Sequence, residues 1–297
     1  MTGFGERLRS WRPATPPLPD DLRQLVKPDD PDWFAREMAI AVAPPWWFWR
    51  FMLGNFSWLV SIFGRVEVTG SIPEELRDGP LLFAANHIGD FDPLVVAVAL
   101  HKVGVTPRIM ATGGIISAPV VGPLLERTGA IRVERGTELA RHAVRVTEVA
   151  LVQGGHVVAY PEGRVGLTPD GWPERGRTGM ARLALGLGVP VIPVSQWGAH
   201  EVLQYGNDWG KLRTVVRAVL RRPALKVHVG PPVTLDDLQM GRVGDANRAR
   251  YRIAAAITRG LVPLRAGEDD RPHYVDRTRP TTAVAAFPGG VVPDDVP

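Results

Sequence analysis

The sequence contains no cysteine, so its 297 residues include no disulfide, no cysteine nucleophile and no thiolate ligand for zinc. Neither sign of charge dominates, because 35 Lys and Arg residues face 31 Asp and Glu residues and the net charge is +4. Charge alone therefore identifies no partner. The chain also lacks an uninterrupted apolar run of about 20 residues, the length that spans a bilayer as a helix. Residues 1–21 are polar and Pro-rich, and we expect no signal peptide there.

Alternating strand-like and helix-like segments follow one another from Arg65 onward. The expected strands cover residues 65–70, 81–86, 108–112, 130–135, 156–161, 189–195 and 224–232. The expected helices cover residues 92–102, 137–155, 177–188 and a stretch near 246–261. This alternation predicts one α/β domain over residues 65–266, with a mostly parallel sheet flanked by helices.

The two ends of the chain differ in composition from this domain. Residues 1–30 are expected to form a flexible lead-in. Residues 267–297 are polar and rich in proline, which predicts a disordered tail.

The region from 31 to 64 contains the most apolar segment of the chain, residues 38–63. Pro44 and Pro45 interrupt helical structure, and Arg50 interrupts the apolar run. The indole ring favours the boundary between lipid headgroups and acyl chains, and the segment contains Trp46, Trp47, Trp49 and Trp58. These features predict two short helices at a membrane interface. A helical hairpin buried against the main domain is the alternative.

A second feature with two interpretations is the basic run from Lys211 to Lys226, which contains six Lys or Arg residues and no acid. Such a run is either a solvated helix face or a contact with anionic lipid. Nucleic acid is disfavoured as a partner, because no aromatic residues interleave with the run and no nucleic-acid-binding motif is present.

The segment from Asn86 to Asp92 carries the clearest chemical signal. It follows an apolar strand and precedes a helix, and the carboxyl end of a parallel strand is where open α/β sheets form ligand sites. Gly89 permits a tight turn through which Asp92 can return to His87. A carboxylate on one ring nitrogen fixes the tautomer and leaves the other nitrogen to accept a proton from a hydroxyl group.

Two other interpretations of this segment remain open. His87 can be a structural residue, with Asp92 only capping the following helix. Alternatively, His87, Asp90 and Asp92 form a chemically reasonable set of metal ligands, one imidazole and two carboxylates.

Two further blocks follow strands. In residues 129–136, Arg135 ends a strand, where a guanidinium can pair with a phosphate. In residues 160–164, Glu162 and Gly163 form a shaped turn that can present backbone N–H groups, and Arg164 adds a cation. The alternatives are a surface arginine paired with an acid and an ordinary Pro-Gly turn.

Taken in order, these blocks resemble the motifs of the glycerolipid acyltransferases, in particular the bacterial PlsC-type lysophosphatidate acyltransferases. Asn86, His87 and Asp92 match Asn-His-x4-Asp, and residues 129–135 match Gly-x-Ile-x-Val-x-Arg. Residues 160–163 match Phe-Pro-Glu-Gly with Tyr in place of Phe, and residues 189–194 match a Val-Pro-Val-Ile-Pro-Val strand. The resemblance covers roughly residues 65–235, and residues 172–199 look especially like actinobacterial members.

The resemblance implies transfer of a fatty acyl group to a lyso-lipid hydroxyl, most simply from 1-acylglycerol-3-phosphate to phosphatidate. His87 would be the base and Asp92 its partner. The acceptor would be bound by a set comprising Asn86, Gly129, Arg135, Glu162, Gly163, Arg164 and Arg177. The thioester donor would be acyl-CoA or acyl carrier protein, with no metal and no further cofactor. The expected location is the cytoplasmic face of the cell membrane, as a peripheral or monotopic protein on an anionic surface.

Two departures from the family pattern leave room for a different lyso-lipid acceptor. Arg164-Val165-Gly166 stands where the family has Thr-Arg-Ser, and Thr112 stands where the family often has Lys. The chain has no G-x-S-x-G nucleophile elbow, which argues against a covalent seryl intermediate. A non-catalytic membrane-binding module and a hydrolase remain open alternatives.

Overall fold

The computed structural model describes residues 38–40, 47–117, 121–134, 140–168, 170–206, 208–268 and 284–297. The strands are β1 (Arg65–Gly70), β2 (Leu81–Ala85), β3 (Arg108–Thr112), β4 (Ile131–Val133), β5 (His156–Ala159), β6 (Val191–Trp197) and β7 (Ala224–Val229). The helices are α1 (Trp47–Phe63), α2 (Asp92–Lys102), α3 (Gly113–Ile116), α4 (Val121–Arg127), α5 (Ala140–Val152), α6 (Gly179–Leu187), α7 (Ala199–Val202), α8 (Asp208–Arg221) and α9 (Asp245–Leu264). Single 3-10 turns occupy Glu74–Leu76 and Pro288–Gly290.

The seven strands form one sheet in the order β1-β7-β6-β2-β5-β3-β4. β2 pairs in parallel with β5 and β6, and β3 pairs in parallel with β5 and β4. β7 runs antiparallel to β6 and parallel to β1. The predicted fold class, a mostly parallel sheet flanked by helices, is confirmed. Its consequence is that β2, β3, β4, β5 and β6 all end at the same edge of the sheet.

Neighbouring side chains of β2 enter two different cores, one on each face of the sheet. Leu82 and Ala84 belong to the core that is covered by α5, α6 and α9. Leu81, Phe83 and Ala85 belong to the core that is covered by α2 and by parts of α1, α7 and α8. All five side chains are fully buried. Burial on both faces explains why this strand is a continuous apolar run in the sequence.

Helix α1 packs against the main domain through one side only. Trp49 and Leu53 are buried against Ala97 of α2. On the outer surface, Phe51 and Trp58 are exposed, and Trp58 retains 71% of its accessible surface. Among the described residues, no helix combines the length and the apolar character needed to cross a bilayer.

The remaining predictions for the N-terminal region fall on residues that the structure does not describe. Residues 38–40 are helical, but the expected break at Pro44–Pro45 lies outside the described residues. The expected flexible lead-in, residues 1–30, lies outside them as well.

The C-terminal residues 284–297 contact the main domain. Ala285 forms an antiparallel bridge with Glu174, and the buried ring of Phe287 packs on Ala254 and Ala255 of α9. The structure therefore corrects the prediction of a disordered tail for residues 284–297. The physical reason is that Phe287 supplies one apolar anchor inside a segment whose average composition is polar. Residues 269–283 lie outside the described part of the chain.

Candidate active site

His87 and Asp92 meet at the carboxyl end of β2. His87 follows the last residue of β2 by two positions, and Asp92 is the first residue of α2. The distance from His87 Nδ1 to Asp92 Oδ2 is 2.7 Å. The same oxygen accepts the backbone N–H groups of Ile88 at 2.6 Å and Gly89 at 3.0 Å. Three donors therefore hold this fully buried carboxylate in place.

This arrangement selects one tautomer of His87. Nδ1–H donates to Asp92, so Nε2 carries the lone pair. Among the described residues none donates a hydrogen bond to Nε2, and 9% of the side chain remains accessible. A hydroxyl group that reaches Nε2 can transfer its proton there as it attacks a carbonyl carbon.

Gly89 is required in this loop by its close approach to α7. A Cβ at position 89 would lie 3.0 Å from His200 Cα and 3.0 Å from Leu203 O. The turn itself is closed by the backbone N–H of Asp92, which donates to Gly89 O at 3.3 Å. The sequence pointed to glycine for the turn, and the structure adds the crowding against α7.

The backbone of His87 is held on both sides. Its N–H donates to Glu162 Oε1 at 3.0 Å, and its carbonyl oxygen accepts the backbone N–H of Gly166 at 2.7 Å. A Cβ at position 166 would lie 2.5 Å from Glu162 Oε2, so only glycine permits this approach. Gly166 is thus part of the site, although the sequence interpretation gave it no role.

Glu162 is a buried carboxyl group with both oxygens bonded to backbone. Oε2 accepts the N–H of Glu174 at 3.2 Å, while Oε1 accepts the N–H of His87. Burial raises the pKa of Glu162 to about 8, and the two backbone donors offset only part of this effect. The resemblance implied that Glu162 binds the acceptor, but in the structure it supports the loop that carries His87.

Asn86 joins the ends of β2 and β6 immediately before His87. Its Nδ2 donates to Gln196 O at 2.9 Å, and its Oδ1 accepts from Gln196 N at 2.8 Å. Gln196 Nε2 donates to Asn86 O at 3.2 Å. Both residues are buried, so the structure gives Asn86 a positioning contact in place of the expected contact with substrate. The signal for this pairing in the sequence is the polar Gln196 near the end of the largely apolar strand β6.

The ring of Tyr160 stacks on the imidazole of His87. The ring centroids are 4.3 Å apart and the planes are inclined by 25°. Burial raises the pKa of the Tyr160 phenol well above its usual value, and the nearby charge of Asp92 raises it further. Its hydroxyl group has no hydrogen-bond partner among the described residues. The contribution of Tyr160 is therefore its ring, which restricts the rotation of His87.

The turn after β5 carries three of the expected acceptor-binding residues at the same sheet edge as His87. Gly163 has a left-handed backbone with φ of 72°. A Cβ at this position would lie 3.4 Å from Nε of Arg177, an exposed side chain. Arg164 Nη2 lies 3.1 Å from Glu174 Oε2, so part of its charge is neutralised within the protein.

Gly129 lies at the opposite edge of the sheet, because it precedes β4. Its φ is 74°, and a Cβ there would overlap the guanidinium of Arg108. Glycine at this position accommodates the buried Arg108, and a role of Gly129 in substrate binding stays a prediction. Arg135 lies outside the described residues; β4 ends two residues earlier, at Val133, on the edge where His87 lies.

In the described part of the chain, His87, Asp90 and Asp92 do not form the set of metal ligands that the sequence allowed. Asp90 forms an ion pair with Lys211 at 2.8 Å, whereas Asp92 binds His87. Across the described ranges, no three His, Asp or Glu side chains are grouped closely enough to hold a metal ion.

Residues 65–197 match the family model described as Acyltransferase. The matched range runs from the start of β1 to the end of β6 and includes His87, Asp92 and Glu162. The match covers a little under half of the 297-residue chain.

Two named proteins are similar to the chain. A chloroplastic 1-acyl-sn-glycerol-3-phosphate acyltransferase from Brassica napus is 23% identical over 162 residues, which are 54% of this chain and 45% of that protein. The chain thus spans a little under half the length of this curated relative. The crystal structure of the 1-acyl-sn-glycerophosphate acyltransferase PlsC from Thermotoga maritima superposes with a TM-score of 0.53 at 21% identity. That superposition covers 74% of this chain and 83% of the other, and it establishes a shared fold.

Proposed function

We propose that this protein transfers a fatty acyl group from a thioester to the hydroxyl of 1-acylglycerol-3-phosphate, forming phosphatidate for phospholipid synthesis. The observation that carries the proposal is the His87–Asp92 pair, which presents an unoccupied Nε2 at the carboxyl edge of the sheet. The family match of residues 65–197 supports the reaction class. The choice of acceptor is supported by the similarity to the Brassica and Thermotoga proteins, both of which are named as acyltransferases of 1-acylglycerol phosphate.

In the proposed reaction, Nε2 of His87 takes the proton of the acceptor hydroxyl while its oxygen bonds to the thioester carbonyl carbon. The carbonyl electrons move to oxygen and then return, the C–S bond breaks, and the thiolate receives the proton from His87. Asp92 stabilises the intermediate imidazolium and keeps the ring oriented. A positioned base of this kind contributes about 10²–10⁴-fold to the rate. The thiolate is a good leaving group, so no separate strong acid is required. The donor is acyl-CoA or acyl carrier protein, and we propose no metal and no further cofactor.

The acceptor phosphate is assigned to Arg135 and Arg177. Arg135 follows β4, and Arg177 is exposed beside Gly163. Arg164 lies on the same turn but is paired with Glu174. This pairing, together with the departure from Thr-Arg-Ser, favours a second candidate, namely acylation of another lyso-lipid or glycolipid whose headgroup is less charged.

We also propose that the protein is peripheral or monotopic at the cytoplasmic face of the cell membrane. The apolar outer surface of α1, with Phe51 and Trp58, supports attachment through the N-terminal region.

Thioester turnover tests the reaction. Purified wild type and His87→Ala are compared with acyl-CoA or acyl carrier protein thioesters and a panel of lyso-lipids, with products identified by mass spectrometry. The variant should lose at least about 10²-fold in kcat because the base is removed. Retention of more than about a tenth of the activity contradicts the assignment of His87. Release of free fatty acid without an acceptor would indicate a hydrolase, and no turnover in wild type would favour a non-catalytic module.

The acceptor is tested with Arg135→Ala and Arg177→Ala on a phosphate-bearing and a neutral lyso-lipid in parallel. A lost charge-assisted hydrogen bond costs about 1.5–3 kcal/mol, so kcat/KM for the phosphate-bearing acceptor should fall about 10- to 100-fold. The loss on monoacylglycerol should be much smaller. Equal losses on both acceptors would mean that these arginines support the fold and do not bind a phosphate.

A further inference from the structure

Helix α8 exposes an apolar stripe that no described residue covers. Trp209 and Leu220 retain 81% and 79% of their accessible surface, and Leu212 and Val216 between them are more than half exposed. These four positions recur every three or four residues along Asp208–Arg221, so they lie on one side of the helix. The opposite side is attached to the domain through Ala218, which is 1% exposed. A helix that served only as a solvated face would carry polar residues on this stripe.

The stripe is bordered by basic residues. Arg213, Arg217 and Arg221 are exposed, and Arg217 and Arg221 interact electrostatically with Glu201 of α7. The sequence has no Asp or Glu from Trp209 to Lys226. Helices with an apolar stripe, a tryptophan and a cationic border are typical of elements that lie in the headgroup region of anionic membranes.

Helix α8 is joined directly to the loop that carries His87. Lys211, in its first turn, pairs with Asp90 at 2.8 Å, and the backbone N–H of Asp90 donates to Leu203 O at 3.2 Å. Asp90 lies between His87 and Asp92 in the chain. The side of α8 that faces the domain, opposite the apolar stripe, is therefore connected to the loop of the candidate active site.

Helix α8 also adjoins α1. Arg222 Nε, just after the end of α8, donates to Ser61 O in the last turn of α1 at 2.9 Å. One turn earlier in α1, Trp58 is exposed. The exposed apolar residues of the two helices thus belong to neighbouring elements on the same side of the sheet.

We propose that α8 is a second membrane-docking element, which inserts its apolar stripe into the headgroup region of an anionic lipid surface and holds the domain, with its attached His87 loop, at that surface. Its partner is the lipid surface itself, chosen over a protein because the stripe is bordered by exposed cations and lies on a helix that neighbours α1, which has exposed apolar residues of its own. The inference rests on the proposed function only for the presence of a lipid acceptor in that surface.

The absence of native cysteine permits a direct test of insertion in the full-length protein. Leu220→Cys and Val243→Cys are each labelled with the fluorophore NBD; Val243, which is 95% exposed in the loop before α9, is the matched control. On vesicles of phosphatidylglycerol mixed with phosphatidylcholine, NBD at position 220 should brighten and shift to the blue. NBD at position 243 should remain unchanged. Equal spectra at the two positions, with the protein bound, would overturn the proposal.

Affinity provides a second, independent readout by vesicle co-sedimentation. Trp209→Gln/Leu220→Gln should weaken binding at least about tenfold, since it removes the two most exposed apolar side chains of the α8 stripe. Arg213→Gln/Arg217→Gln/Arg221→Gln should weaken binding to anionic vesicles about 100-fold, from roughly fivefold for each residue, and should have little effect on neutral vesicles. The control Arg242→Gln/Val243→Gln makes the same kinds of change on an exposed loop and should bind as wild type.

Circular dichroism and turnover of a short-chain, micelle-free acceptor report on folding and chemistry apart from docking. Loss of vesicle binding with a normal spectrum supports the proposal whether or not the protein acylates lysophosphatidate. Wild-type vesicle binding by both α8 variants overturns it. A change of oligomeric state in Trp209→Gln/Leu220→Gln, with vesicle binding intact, would also overturn it and would assign the stripe to a second copy of the chain.

Discussion

Replacing Glu162 with Gln tests whether this residue supports the His87 loop or binds the acceptor. Gln has nearly the same shape, but it replaces one of the two acceptor oxygens with an NH₂ group. In the structure both oxygens accept buried backbone N–H groups, from His87 and Glu174. One of these donors must therefore lose its partner in the variant.

The expected cost of an unsatisfied buried N–H group is about 1–3 kcal/mol in the free energy of unfolding. Loosening of the His87 backbone should also lower kcat, because a displacement of about 1 Å at a catalytic group can cost about 10²-fold. The KM for the acceptor should change little, since both oxygens of Glu162 accept hydrogen bonds from the backbone.

The pH dependence of stability provides an additional signature. Burial raises the pKa of Glu162 from 4.5 to about 8, so the folded state binds this proton more tightly than the unfolded state. The resulting stabilisation is fully present below about pH 4.5 and is lost as the pH rises through about 8. Relative to Glu162→Gln, which does not titrate, the wild type should lose up to about 1.4 kcal/mol per pH unit in this window.

Urea unfolding between about pH 5 and pH 8, combined with kcat and KM for the acceptor, measures these quantities. Glu67→Gln makes the same chemical change on an exposed position of β1 and serves as the control. An increase in KM with unchanged kcat and unchanged stability would refute the positioning role and restore the role in acceptor binding. An identical pH slope in wild type and Glu162→Gln would refute the assignment of the raised pKa.

Three further substitutions test other contacts. Asp92→Asn should lower kcat by at least about 10²-fold, because the amide can orient the His87 ring with the wrong tautomer; a near-normal kcat would contradict the pairing. Gly129→Ala should destabilise the protein by more than about 1 kcal/mol in urea unfolding, through its positive φ and the overlap with Arg108, while kcat of the remaining folded protein stays normal. Tyr160→Phe should retain kcat and gain up to about 1 kcal/mol of stability by removing a buried, unpaired hydroxyl group; a large loss of kcat would mean that the hydroxyl takes part in the reaction.

Local patterns in the sequence were sufficient to predict most regular elements. The predicted bounds of α2, β1 and β3 agree with the structure, and those of the other predicted strands differ by a few residues at their ends. Apolar runs such as Leu81–Ala85 predict buried strands because a strand covered on both faces has no room for polar side chains. Local patterns could not predict the order of the strands in the sheet, because that order depends on which faces of the helices pack together.

The candidate site was predictable to the extent that its residues are neighbours in the chain. His87 and Asp92 are five residues apart and meet through one turn, so their pairing followed from spacing. The residues that hold this loop come from distant segments of the chain. Glu162 is 75 residues from its partner His87, and Gln196 is 110 residues from its partner Asn86. Only the folded sheet brings those segments together.

The sequence by itself predicted the class of fold and the pairing of His87 with Asp92, because these depend on hydrophobic periodicity and on one short motif. Tertiary structure alone decided the roles of individual residues around the pair. In the folded protein Glu162 accepts backbone hydrogen bonds, and Gly129 leaves room for the side chain of Arg108. Phe287 anchors the C-terminal segment, and no described residue covers the apolar stripe of α8. The physical reason is that burial and hydrogen-bond partners are properties of three-dimensional packing, and the same residue type binds substrate or backbone according to which side of the sheet edge it faces.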